Sequence, residues 1–237
     1  MPTGHWLETA LSILVAVMLT GAAPVQAGAG ALPDNDILMK AVVDELHRSM
    51  DKLALEDLPR PFFIQYQAQD RISFTMRAAN GGLLRSDNDR TRYVASRVRV
   101  GSYKLDNTNV SRGLGGRAGL PLDDDYTAIR HALGLMTDTD SKRAVEVFTR
   151  KRAYLKQKNV ADRPDDFSAA QPARVIEPSA EIAFDRARWE DNLRRLSGRF
   201  ERYPAIQDSN VTFFAGAANQ CIVNSEGTRI RTGDTGA

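Results

Sequence analysis

Cysteine is almost missing from this chain: Cys221 is the only one in 237 residues. A lone thiol excludes an intramolecular disulfide framework and any multi-cysteine zinc or iron–sulfur site. Histidine is nearly as scarce, with His5, His47 and His131 as the complete set. An excess of charge is lacking too, because 32 Lys and Arg stand against 30 Asp and Glu, a formal net of +2. Proteins that grip a phosphate backbone usually show a basic excess or stripe, so this balance argues against nucleic acid as the partner. No internal repeat or low-complexity tract is visible. What is present is ordinary globular composition, 42% hydrophobic and 26% charged. The length suits one large domain or two small ones.

The longest apolar run, ALSILVAVMLTGAA at 10–23, lies near the amino terminus and is followed by Pro24 and Val25-Gln26-Ala27. It is short of the roughly 20 residues a membrane span needs, and it ends in the small residues of a cleavage site. Residues 1–27 therefore read as a secretory signal peptide cleaved after Ala27, although MPTGHWLE carries no Lys or Arg. An uncleaved membrane anchor is the alternative. Cleavage removes one acid, Glu8, and predicts an exported chain, periplasmic or extracellular, with an unpaired thiol that is best buried.

After a flexible leader at 28–34, Ile37, Leu38, Val42, Leu46, Met50 and Leu53 recur at helical spacing, with Asn35 or Asp36 able to cap the start. Pro59 and Pro61 stop that helix. The period then becomes two: Phe62, Ile64, Tyr66 and Ala68 in one strand, Ile72, Phe74, Met76 and Ala78 in a second. Asn80-Gly81-Gly82 supplies a hairpin turn, and a strand near 83–89 leads to Val94, Val98 and Val100 alternating with Arg97 and Arg99. This predicts an antiparallel meander with one wet face. Residues 106–122 read as a glycine-rich loop. Asp123-Asp124-Asp125 opens a long helical stretch that DTDS at 138–141 is expected to bend. A surface connection at 163–178 precedes a helix carrying Trp189, Leu193, Leu196 and Phe200, and short strands close the chain. The fold class is α+β: amphipathic helices on an antiparallel β-meander. Residues 35–205 are expected to form this domain, and 206–237 to begin a second, truncated β-rich one.

No catalytic set is legible. His47 has Asp51 one turn later and His131 has Leu135, so neither forms the helical histidine pair of a zinc hydrolase. Both read as solvated helix residues. Cys221, among Ala217, Ala218, Ile222 and Val223, reads as a buried strand thiol rather than a nucleophile. Gly113-x-Gly115-Gly116-x-x-Gly119 lacks a preceding strand and a P-loop lysine, so it reads as a loop and not a phosphate cradle. Asp123–Asp125 are accounted for by helix capping. The basic run at 142–158 reads as a solvated helix face that could also meet an acidic partner or another subunit. Catalytic, cofactor-binding and metal residues are therefore all expected to be none.

Several phrases nevertheless resemble one family. Pro59-Arg60-Pro61-Phe62-Phe63-Ile64-Gln65-Tyr66 and Val98-Arg99-Val100-Gly101-Ser102-Tyr103-Lys104-Leu105-Asp106 look like the amino-terminal half of TldD/PmbA-type "modulator of gyrase" metallopeptidases, most similar to exported bacterial members. Leu120–Tyr126, Lys142–Glu146 and Val223–Thr228 extend the match. The family's zinc motif, a helical H-E-x-x-x-H with a downstream cysteine, has no counterpart here. The resemblance implies a non-catalytic portion that contributes wall to an enclosed peptide chamber and surface to a homo- or hetero-dimer. Zinc is then expected only in a missing carboxy-terminal half or in a partner, and this chain alone is expected to be inactive. A stand-alone peptide-binding or partner subunit of a zinc-bearing homologue is the second reading. An unrelated exported structural protein is the third.

Overall fold

The computed structural model describes residues 14–15, 36–53, 59–110, 115–159 and 163–236. The leader at 28–34 and most of the signal segment lie outside the described residues. Within that segment Leu14–Val15 (β1) pairs in parallel with Asn210–Val211. Among the described residues no helix is long and apolar enough to cross a membrane.

A seven-stranded sheet organises the chain. Its long members are β2 (Pro61–Ala79), β3 (Gly82–Val100), β6 (Asn210–Asn224) and β7 (Arg229–Gly236). Short β4 (Arg117–Gly119) and β5 (Arg174–Ile176) lie at the two edges, in the order β4-β3-β2-β6-β7-β5. Neighbours are antiparallel except for β5, which runs parallel to β7, and β1, which runs parallel to β6. The β2–β3 turn is built as its sequence demands: Asn80 and Gly81 take φ of 46° and 70°, the left-handed pair of a tight hairpin.

Two expectations are corrected by this sheet. The four short strands expected over 61–100 are two continuous 19-residue strands. Asp70 and Arg71, which look like a break, stay in the ladder because Asp70 faces Arg92 across it. Residues 206–237 do not begin a separate sheet: β6 pairs with β2 from Gln65↔Asn224 to Ala78↔Val211. Fourteen consecutive pairs of backbone partners hold that junction, so these strands complete the first sheet rather than start another.

The helices cover one face. α1 (Ile37–Lys52) starts at Asp36, whose carboxylate accepts the Met39 N–H at 2.9 Å. α2 (Tyr126–Gln157) starts at Asp125, which accepts from Thr127 and Ala128. DTDS does not break α2, which runs as one helix for 32 residues. DTDS contains neither Pro nor Gly, and its polar groups find partners: Thr139 donates to the Leu135 carbonyl, and Asp140 is buried against Ser96 and the Gly116 amide. Met39, Val42, Leu46, Ile129, Leu133 and Phe148 from these helices meet Ile64, Tyr66, Val94, Val98 and Val100 from the sheet in the main core. A smaller cluster lies farther along the same face. There α3 (Arg186–Gly198) sets Leu193 against Met76, Ala78 and Val211, with Trp189 stacked on Phe213 at 4.4 Å.

Among the described residues no helix covers the opposite face. By strand alternation it presents Gln65, Gln67 and Gln69, then Ala95, Ala218, Gln220 and Ile222, all half-buried.

Candidate functional site

Between the α1–α2 layer and α3 the helix-covered face is left uncovered, and a cleft of about 500 Å³ opens there. Its floor is Ile72, Ala217 and Cys221, and its walls are charged. Even-numbered residues of β2 and β3 point to this face, which brings Asp70 of β2 beside Arg90 and Arg92 of β3. Arg90 is bidentate on Asp70 at 3.0 and 2.7 Å. Arg92, with its side chain only 2% exposed, reaches Asp70 at 2.5 Å, Asp124 at 2.7 Å and the Pro121 and Asp123 carbonyls. Across the cleft Arg231 of β7 binds Asp36 at 2.5 Å and the Glu177 carbonyl at 2.8 Å. The segment 178–181 rims the opening, fixed by paired hydrogen bonds between Ala180 and the Asn219 side chain.

The electrostatics of the cleft follow from these pairs. Burial disfavours the charged form of Asp70, but hydrogen bonds from Arg90 and Arg92 outweigh it and hold the carboxyl below its usual value. The same contact raises Arg90 above the ordinary guanidinium value. Cys221, at the floor, has its thiol pushed up to about 12 by burial first and by the Asp36 carboxylate second. A protonated, buried thiol of this kind is a poor nucleophile at neutral pH. Ellman's reagent is expected to leave Cys221 unmodified in the native protein at pH 8 and to titrate one thiol in guanidinium. Rapid native reaction would refute that environment.

The other residues weighed from sequence are dispersed. His47 and His131 stand exposed on α1 and α2. His47 lines a separate groove with Met50, Asp51, Ser225 and Arg229. Of the three aspartates before α2, Asp125 caps and Asp124 holds Arg92. In the glycine loop, residues 111–114 lie outside the described residues, and Gly116 packs against Asp140. The cleft is absent from the sequence expectations, because Asp70, Arg90, Arg92 and Arg231 form no motif and only the fold brings them together. The legible signal was parity: Asp70, Arg90 and Arg92 share the even positions of Ala68, Ile72 and Val94.

A zinc ion, which the sequence resemblance implies for a whole peptidase, does not fit these residues. Among the described residues no three His, Cys, Asp or Glu side chains converge. Cys221 lies buried on β6, away from the exposed His47 and His131 on the helices, and no ligand set surrounds any of the three among the described residues. The cleft offers fixed donors and acceptors for a polar ligand.

No family model and no curated protein matches the sequence. Three solved structures are similar over most of this chain. TldE from Thermococcus kodakarensis is 9% identical with a TM-score of 0.44, over 84% of this chain and 37% of that one. A putative modulator of DNA gyrase from Bacteroides thetaiotaomicron is 9% identical, TM-score 0.42, over 86% of this chain and 40% of that one. Another from Thermotoga maritima is 12% identical, TM-score 0.40, over 73% and 33%. The chain spans two-fifths or less of the length of these structures. At this level of similarity no residue role passes from them to this chain.

Proposed function

We propose that this chain is the amino-terminal, non-catalytic portion of an exported TldD/PmbA-like zinc metallopeptidase, contributing dimer and peptide-chamber surface. The observation that carries the reading is the unequal treatment of the two sheet faces. Helices and the 178–181 segment cover one face around a cleft of paired charges. Among the described residues the other is a helix-free surface that mixes Gln65, Gln67, Gln69 and Gln220 with Ala218, Ile222, Phe214, Arg71 and Arg97. The phrases Pro59–Tyr66, Val98–Asp106 and Val223–Thr228 supply the family assignment. In this reading the sheet surface meets a second TldD/PmbA-like chain, and the cleft, with its guanidinium and carboxylate groups, lines the space where an extended peptide lies. Zinc belongs to the partner or to sequence beyond this chain. Secretion after cleavage near Ala27 places the assembly in the periplasm or outside the cell.

Sedimentation equilibrium tests the surface role. A dimer is expected, and Ala218→Arg, which sets a second cation beside Arg71 on the helix-free face, is expected to shift it to monomer with an unchanged circular dichroism spectrum. A native chain that stays monomeric alone and with a zinc-bearing homologue would sink the proposal.

A further inference from the structure

The carboxy-terminal part of α2 carries a run of cations that the fold uses only in part. Thr149–Asn159 reads TRKRAYLKQKN, five cations without one acid in a chain whose net charge is +2. Lys151 turns inward, to Asp166 at 2.7 Å and the Thr108 carbonyl at 2.6 Å. Arg150 pairs with Glu146 at 3.3 Å, both exposed. Arg152, Lys156 and Lys158 are exposed, and among the described residues they enter no ion pair. Arg152 lies over the Phe148 ring at 5.8 Å. Beside it is a groove of about 340 Å³ lined by Leu105, Thr149, Arg152, Ala153, Leu155 and Lys156. Its floor is apolar and its rim is cationic.

Helix stability does not account for this arrangement. Cations in the last turn complement the helix dipole, which explains Lys156 and Lys158. Arg152 sits one turn earlier at i,i+4 from Lys156, and like charges at that spacing destabilise a helix by a few tenths of a kcal/mol. We propose that the groove docks an acidic peptide segment of a partner protein. An apolar side chain seats on Leu105, Ala153 and Leu155, and flanking carboxylates pair with Arg152 and Lys156. A bilayer is too flat to reach the floor of a concave groove. Nucleic acid is met by longer rows of cations than these three. The inference stands on the groove alone and is independent of the peptidase reading.

The test uses the full chain and a fluorescein-labelled, end-capped Asp-Glu-Leu-Phe-Glu-Asp peptide, followed by anisotropy. Saturable binding that weakens as salt rises from about 50 to about 300 mM is expected, since exposed pairs are screened over that range. Arg152→Glu with Lys156→Glu should weaken it by at least about tenfold, as charge reversal at an interface does, while Lys142→Glu elsewhere on α2 leaves it unchanged. If the reversal disturbs the helix by circular dichroism, Arg152→Gln with Lys156→Gln decides, with a smaller loss expected. Absence of binding, binding indifferent to both double variants, or tighter binding to phosphatidylglycerol vesicles or duplex DNA would overturn the proposal.

Discussion

Asp70→Ala is expected to destabilise the protein by about 3–5 kcal/mol, the usual consequence of removing one partner of a buried ion pair. In a chain of this size that is a fall of about 10 °C in Tm. The cost arises at Arg92. Its side chain is 2% exposed and divides its donors between Asp70, Asp124 and two carbonyls. Without Asp70 it keeps Asp124, whose side chain is 55% exposed and so a weaker partner. Asp70→Asn keeps an acceptor and should cost less. The pair also predicts an acid limb. Because the folded state holds Asp70 below its ordinary value of 3.8, its stabilisation is complete above that pH and is lost as pH falls through the depressed folded value. Asp166 adds to the same limb: burial raises its carboxyl, but Lys151 and the Asp106 amide outweigh that and lower it. Denaturant melts of the native chain should lose stability below about pH 4, and Asp70→Ala should flatten that limb. An Asp70→Ala protein with unchanged Tm would contradict the assignment of the cleft as a fixed, desolvated network.

Leu193→Ala is the second large effect, and it should be local. α3 buries only Leu193 and Ser197, so one side chain carries most of its attachment to the sheet. A buried leucine truncated to alanine costs about 2–5 kcal/mol. The aromatic contacts of Phe184 with Phe74 and Phe213 and of Trp189 with Phe213, at about 0.5–1.5 kcal/mol per pair, are of similar size and retain part of the attachment. α3 should open far more often while the core formed by α1 and α2 persists. Hydrogen exchange should then rise across 186–202 and stay slow in β2 around Ile64 and Tyr66. Uniform loss of protection would show instead that the two clusters unfold as one unit.

Local chemistry was readable wherever it was self-contained. Asn80-Gly81 specifies its own turn, Asp36 and Asp125 cap their own helices, and Val94, Val98 and Val100 declare an inward face by alternation. The readings that failed involve polar groups whose partners lie far away in sequence. Glu45 looks like a solvated helix residue, yet it is buried and bound by Arg48 and by Arg130 from α2. Asp140 looks like a turn former, and a partner on β3 makes it a helix-interior residue. Asp70 looks like a break between strands until Arg90 and Arg92 face it. An isolated charge in a sequence signals exposure, and only the fold supplies the opposite charge that permits burial.

The most direct measurement is the zinc content of the purified chain, together with its activity on an unfolded peptide. The proposal predicts well below one zinc per chain by elemental analysis, and no peptide cleavage that a chelator abolishes. About one zinc per chain with chelator-sensitive proteolysis would contradict it and would require a metal site outside the cleft of Asp70, Arg92 and Arg231.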